Sequence, residues 1–261
     1  MTVRHPAVAG MFYPADPDQL VSDLRHLLAT ADVVEADFGV KILVVPHAGY
    51  IYSGPIAATA YRLLAELEGL RRIVMLGPSH FVPTSRLELP GVDALSTPLG
   101  NVEVDVGAAA EALQHRLVGE SRDVHRREHS LEVQLPFLQI VTPGVPVLPL
   151  LTGSIDPVAA ADIVETLMDG TSLLLVSSDL SHYLDATAAR RLDGETVAAM
   201  RRLDPDALGR ESACGRTGVQ IALHIARRRG YRVAVLDLRN SADTAGTPDR
   251  VVGYCAVALG A

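Results

Sequence analysis

Three of the nine histidines in the chain follow apolar stretches that are typical of buried β-strands. They are His47 after residues 41–45, His80 after residues 72–76 and His182 after residues 172–176. In open parallel α/β sheets the carboxyl ends of the strands meet at one edge, and ligands bind there. Imidazole nitrogens that meet at this edge are suited to transition-metal binding and proton transfer. The spacing therefore predicts one small polar pocket that holds a metal ion; for any single histidine, helix capping or a bond to a carbonyl oxygen is the plainer alternative.

Three further residues are candidates for the same pocket. Asp179 lies in the motif of the third histidine. His129 begins a predicted helix, where it is either a capping residue or, with its pKa lowered by the helix dipole, a neutral ligand or hydrogen-bond donor. Cys214 lies just before another predicted helix and close to Arg216, which favours a thiolate that binds metal or acts as a nucleophile. The second cysteine, Cys255, alternates into a predicted strand and is expected to pack in the core.

Composition and missing motifs exclude several classes of function. The formal net charge of −8 argues against nucleic-acid binding, which normally requires a basic surface. No apolar run is long enough for a membrane helix and no amino-terminal signal is recognisable, so we expect a cytoplasmic protein without a membrane partner. Two cysteines do not make a disulfide framework. Glycine motifs for dinucleotides or phosphates, a serine-hydrolase elbow and a Cys-x-x-Cys pair are all missing.

Apolar strands alternate with helical stretches along most of the chain. Strands are predicted at residues 41–45, 72–76, 145–151, 172–176, 231–238 and 251–259. Helices are predicted at residues 20–29, 55–68, 104–117, 130–140, 157–168, 186–203 and 218–229. This alternation is typical of the α/β class, with a mainly parallel central sheet flanked by helices on both faces. We expect a single domain over residues 1–261, with the remaining histidines, among them His125, on surfaces or helix faces.

An ordered set of short motifs makes the sequence similar to a known family. The motifs occupy residues 4–14, 46–54, 76–80, 96–100, 128–132, 177–182 and 214–216. Each motif alone is weak, but together and in this order they resemble the Memo family from residue 4 almost to the end. The resemblance implies a fold similar to the class III (LigB-type) extradiol dioxygenases, which use non-haem Fe(II).

The resemblance also implies a site and partners. The implied pocket consists of His47, His80, Asp179, His182 and Cys214, with His129 nearby. Iron or copper is the implied metal, with zinc as an alternative. Bacterial members accompany a radical-SAM protein and an AMMECR-type protein, so we expect these as partners beside an unidentified small molecule or peptide.

The leading hypothesis is a dioxygenase-like, metal-dependent oxidoreductase with an unknown substrate. The expected metal ligands are His47, His80 and Cys214, and the expected catalytic residues are His182, Asp179 and His129. His182 would be the acid or base, oriented by Asp179. The resemblance places Cys214 where the dioxygenases would carry a carboxylate ligand, and the softness of a thiolate favours copper(I), zinc or a redox role over plain ring cleavage.

Two other hypotheses use the same pocket. In the first, the protein is a non-catalytic module that binds a phosphopeptide or another anion through Arg216 and helix N-termini. In the second, the protein is a zinc-dependent hydrolase, in which the metal lowers the pKa of a bound water towards neutrality. The identity of the metal separates the second from an oxidoreductase.

Overall fold

A computed structural model describes residues 1–261 and shows an α/β fold built on a large mixed sheet. The strands are β1 Val3–Arg4, β2 Val40–Val45, β3 Arg72–Pro78, β4 Leu87–Leu89, β5 Ala94–Thr97, β6 Gly100–Glu103, β7 Val118–Glu120, β8 Val147–Thr152, β9 Ser172–Ser177, β10 His182–Leu184, β11 Arg232–Asn240 and β12 Val251–Gly260. The helices are α1 Pro17–Thr30, α2 Tyr50–Leu64, α3 Val106–Ala112, α4 Arg122–Arg126, α5 Leu135–Val141, α6 Pro157–Thr166, α7 Ala186–Arg201 and α8 Arg216–Arg229.

Four parallel strands form the centre of the nine-stranded sheet, in the order β2, β9, β3 and β8. Antiparallel neighbours extend it on both sides: β4 pairs with β8, and β12 pairs with β2. Strand β7 lies parallel to β4 at one edge, while β10 and β11 both pair with β12 at the other. The carboxyl ends of β2, β9 and β3 therefore lie side by side.

Helices bury both faces of this sheet. Along β2, Ile42 and Val44 join one apolar core, whereas Leu43 and Val45 join the other. One core receives side chains from α3, α6, α7 and α8, and the other from α1, α2, α4 and α5. A strand buried on both faces needs apolar residues at every position, which explains the continuous runs in the sequence. No helix combines the length and apolarity that a membrane crossing requires.

The α/β prediction is confirmed, and all six predicted strands are present with small shifts at their ends. The predicted helix at residues 104–117 is wrong in its second half, because α3 ends at Ala112 and strand β7 follows. The predicted helix at 130–140 divides into a 3₁₀ turn, Glu132–Gln134, and α5. Pro136 lies in the first turn of α5, where its missing N–H is tolerated.

A small three-stranded sheet, in the order β1, β5 and β6, brings the amino terminus to the segment that carries His129. The Arg4 guanidinium donates to the carbonyl oxygens of His125 and Glu128, at 2.7 and 2.5 Å, and to the Glu132 carboxylate at 2.7 Å. The Glu132 side chain is completely buried. The amino-terminal motif therefore anchors this segment in place.

Candidate metal centre

Three histidines from separate parts of the fold meet at the carboxyl edge of the sheet. His47 follows β2, His80 follows β3, and His129 lies in the connection between α4 and the 3₁₀ turn. One ring nitrogen of each lies within 4.8 Å of the others, so the group could hold a metal ion. The ring centroids are 5.3 Å apart for His47 and His80, 5.5 Å for His47 and His129, and 4.8 Å for His80 and His129.

His47 is the most deeply buried of the three. Its Nδ1 lies 2.9 Å from Ser177 Oγ, and its Nε2 lies 3.3 Å from Cys214 Sγ. Burial, together with the neighbouring His80, lowers the pKa of His47 to about 3. At neutral pH the ring is therefore uncharged and has a lone pair available for a cation.

A buried carboxylate, Glu128, serves the other two histidines. One oxygen, Oε1, lies 2.9 Å from His80 Nδ1 and accepts from the backbone N–H groups of His129 and Ser130. The other oxygen accepts from the backbone N–H of His80 at 2.6 Å. Burial alone would raise the pKa of Glu128, but the bonds from His80 and the backbone hold it at about 2. The carboxylate is thus ionised and leaves Nε2 of His80 free.

His129 packs against the same carboxylate. Its Nδ1 lies 3.4 Å from Glu128 Oε1, and its ring stacks on that of His80. Burial and the nearby His47 lower the pKa of His129 to about 4, so this ring is also uncharged at neutral pH.

Cys214 lies beside His47, immediately before α8. Its Sγ accepts from the backbone N–H of Asp179 at 3.3 Å. Burial raises the pKa of the Cys214 thiol, and the Asp179 carboxylate raises it further. The Arg216 guanidinium, which was expected to favour a thiolate at Cys214, points instead to the Leu208 carbonyl oxygen, 3.5 Å away.

Asp179 and His182 have separate partners. Asp179 Oδ1 accepts from the backbone N–H of His47 at 2.7 Å, and burial raises the pKa of this carboxyl. The Nδ1 of His182 donates to the Leu180 carbonyl oxygen at 2.8 Å. The partner that orients His182 is therefore Leu180 and not Asp179, which corrects the expectation.

A cavity of about 850 Å³ adjoins the histidines. Its walls include His129, Asp179 and His182, so three of the predicted site residues face one space. Phe12, Tyr52, Tyr183, Tyr254 and Arg250 also line it. The cavity therefore combines aromatic surface, ionisable groups and one guanidinium beside the imidazole cluster.

Comparison with known proteins identifies the family of the chain. Residues 4–258 match the family of Memo-like proteins, which is nearly the whole chain. The chain belongs to the Memo-like family. The site residues His47, His80, His129 and Cys214 all lie inside the matched region.

Three relatives of this Memo-like chain are named as MEMO1 family proteins. A MEMO1 family protein of Aquifex aeolicus is 35% identical and covers 97% of this chain and 98% of its own. One from Archaeoglobus fulgidus is 34% identical and covers 98% of both chains. A third, from Thermoplasma acidophilum, is 35% identical with 97% coverage of both.

Three residues of this Memo-like site were missed by the sequence analysis. Glu128, Ser177 and Gln134 contact the histidines or one another in the buried interior. Glu128 and Ser177 stand within quoted motifs, beside His129 and at the end of β9, so their position was a usable signal. Gln134 lies between the apolar residues Val133 and Leu135, and a buried amide there is a signal only once its partners are known.

Proposed function

We propose that this chain is a metal-dependent oxidoreductase whose metal ion binds at the carboxyl edge of the sheet. The main support is that Ser177 contacts Nδ1 of His47 and Glu128 contacts Nδ1 of His80. The two Nε2 atoms are therefore available for the ion. Histidine ligands in metal sites usually have the second nitrogen hydrogen-bonded in this way, often to a carboxylate.

The donor set fits iron, copper or zinc. Neutral imidazoles suit all three metals, and a thiolate adds preference for copper(I) or zinc. His47 and His80 are proposed as ligands, with Cys214 as the third because its sulfur lies 3.3 Å from His47 Nε2. His129 is the competing third ligand, since its nitrogen lies within the same 4.8 Å group. A bound iron or copper ion would supply redox chemistry at the wall of the cavity.

His182 is the proposed acid or base of the reaction. It lines the cavity, and its Nδ1 proton is donated to the Leu180 carbonyl oxygen. The Nε2 atom is therefore the one that can accept a proton from a substrate. Asp179, which lines the same cavity, would act indirectly by holding the backbone of His47.

Elemental analysis of protein purified anaerobically without an affinity tag tests metal binding. We expect about one iron or copper ion per chain, and loss of most of it in His47→Ala and His80→Ala. His26→Ala, which changes an exposed histidine of α1, is the matched control and should keep the metal. Unchanged metal content in the two site variants would contradict the proposed centre.

Cobalt(II) distinguishes the two candidate third ligands. A cysteine ligand produces an intense thiolate-to-cobalt absorption in the near ultraviolet, which Cys214→Ser should abolish. His129→Gln should leave that absorption in place. If the band is missing in the wild-type protein and cobalt binding depends on His129, then the third ligand is His129. A site that holds zinc and rejects iron and copper would contradict the oxidoreductase and favour the hydrolase.

An anion-binding module stays the second candidate because of one observation. Arg250 lines the cavity and stacks over the Tyr183 ring, with its guanidinium carbon 4.5 Å from the ring centroid. Arg216, which was first expected to bind the anion, does not line the cavity. Arg250 therefore takes its place in this hypothesis. Calorimetry with phosphopeptides on metal-stripped protein tests it: binding that is unchanged without metal and lost in Arg250→Ala would favour the module.

A further inference from the structure

A chain of polar side chains runs through the apolar interior and ends at His47. Tyr61 donates to Gln134 Oε1 at 2.6 Å, and Gln134 Nε2 donates to Ser177 Oγ at 2.8 Å. Ser177 Oγ then contacts His47 Nδ1 at 2.9 Å. All four residues are at least 98% buried. Such a chain is costly to bury unless every group has a partner, so the direction of each hydrogen bond matters.

Two carbonyl oxygens fix these directions. The Pro46 carbonyl oxygen, which can only accept, lies 3.0 Å from Gln134 Nε2 and so orients the amide group. The second N–H of that amide then donates to Ser177 Oγ. The Ser130 carbonyl oxygen lies 2.6 Å from Ser177 Oγ and takes the single hydroxyl proton.

The hydroxyl of Ser177 consequently has only acceptor capacity left for His47. A hydroxyl has one proton and two lone pairs, and here the proton and one lone pair are already used. The Nδ1 atom of His47 must therefore carry the proton of the neutral ring. Its Nε2 atom has the lone pair, and this atom lies beside Cys214.

We propose that Ser177 is a positioning residue that locks His47 in the Nδ1–H tautomer and so aims the Nε2 lone pair at the metal centre. The role of this tautomer in metal binding rests on the proposed function, whereas the assignment of the Nδ1–H form rests only on the hydrogen bonds. A second, unrelated device acts on His80, where the ionised Glu128 accepts from Nδ1. Two different partners thus engage Nδ1 of both rings, so that each ring presents its Nε2 atom as the possible ligand.

The tautomer is measurable without any metal. Long-range ¹H–¹⁵N correlation spectra of EDTA-treated protein report which ring nitrogen carries the proton, and His47→Ala assigns the signals. We expect the Nδ1–H form in the wild-type protein. In Ser177→Ala the ring should shift towards the Nε2–H form, which free imidazole side chains favour in water. A wild-type His47 in the Nε2–H form overturns the proposal, even if the variant fails to fold.

Cobalt(II) titration then tests the consequence for metal binding. Ser177→Ala should weaken cobalt binding by about 10–100-fold, the usual effect of removing a partner of a histidine ligand. Tyr61→Phe is the matched control, because it removes a hydroxyl from the same buried chain. The Pro46 carbonyl oxygen still orients the Gln134 amide, and the Ser130 carbonyl oxygen still accepts from Ser177. Its cobalt affinity should stay within about twofold of the wild type.

The outcomes separate this inference from the proposed function. If the wild-type protein binds no cobalt, the proposed metal centre is wrong. The role of Ser177 is still supported if His47 has the Nδ1–H form in the wild type and loses it in Ser177→Ala. If cobalt binds equally well to wild type and Ser177→Ala with His47 unchanged in both, the lock fails and the metal centre stands. Equal weakening in Tyr61→Phe and Ser177→Ala would show a general loss of packing and would also overturn the lock.

Discussion

At the scale of single residues, the candidate metal centre depends equally on side chains that were predicted from the sequence and on side chains that were not. His47 and His80 could be predicted because strand ends in a parallel sheet meet at one edge. The partner of His182 could not, since the backbone after Asp179 brings the ring back to the Leu180 carbonyl oxygen. Such a contact depends on backbone angles over three residues, which residue type does not determine.

The first prediction concerns the Glu128 carboxylate. Glu128→Gln keeps the size of the side chain but removes the charge and one acceptor, so a histidine or a backbone N–H loses its partner. We expect cobalt(II) to bind about 10–100-fold more weakly. Thermal denaturation should also show a lower midpoint. Glu88→Gln, a change in a buried carboxylate on β4, is the control and should not alter cobalt binding.

His125 gives a second prediction, on the pH dependence of stability. It was expected on a surface or a helix face; it lies in helix α4 but is buried, and its Nε2 donates to the Glu88 carbonyl oxygen at 2.6 Å. Burial lowers the pKa of His125 to about 4, from about 6.5 in the unfolded chain. The unfolded state therefore takes up a proton first as the pH falls, and the stabilisation present above pH 6.5 is lost between about 6.5 and 4.

The measurement compares urea unfolding of wild type and His125→Gln at pH 7 and pH 5. Glutamine still has an N–H donor but does not titrate. From the two pKa values the wild type should lose about 2 kcal/mol more than the variant over this interval. Equal losses in both proteins would show that His125 does not titrate differently in the folded and unfolded states.

At the scale of elements, the start of α8 determines where the Cys214 sulfur lies. A Cβ atom built on Gly215 would lie 2.7 Å from the Ser177 carbonyl oxygen, and that oxygen belongs to the backbone of β9. Helix α8 can therefore approach the sheet this closely only with glycine at this position. The sequence showed a Cys-Gly pair before a helix, but the close approach of β9 depends on tertiary packing.

The third prediction uses this close approach. Gly215→Ala should push the start of α8 away from β9, destabilise the fold by about 1–3 kcal/mol and weaken the contact between Cys214 and His47. The thiolate-to-cobalt absorption should fall with it. Gly194→Ala is the matched control in α7, where a Cβ meets nothing within 4 Å. There alanine should stabilise the helix by about 0.5–1 kcal/mol. If Gly215→Ala stabilises the protein as Gly194→Ala does and leaves the cobalt absorption unchanged, the close contact with β9 does not determine the position of α8.

At the scale of the whole molecule, both faces of the sheet are buried under helices, and the candidate metal centre lies at its carboxyl edge. The alternation of apolar strands and helices predicted this α/β architecture correctly. The short strands β4, β7 and β10 were not predicted, since each has only three residues and forms through partners far away in sequence. Pairing over such distances depends on the assembled sheet and not on local propensity.

The last prediction follows from the way the centre joins separate parts of the fold. The histidines come from the ends of β2 and β3 and from the segment before the 3₁₀ turn, so an ion held by them ties the folded state together. Binding to the folded state alone stabilises it by about 2.7 kcal/mol at a metal concentration of 100 times Kd. For a chain of this size the thermal midpoint should rise by about 5–10 °C, and EDTA should reverse the rise. The double variant His47→Ala/His80→Ala should show no rise, and an equal rise in that variant would mean that the stabilising ion binds elsewhere.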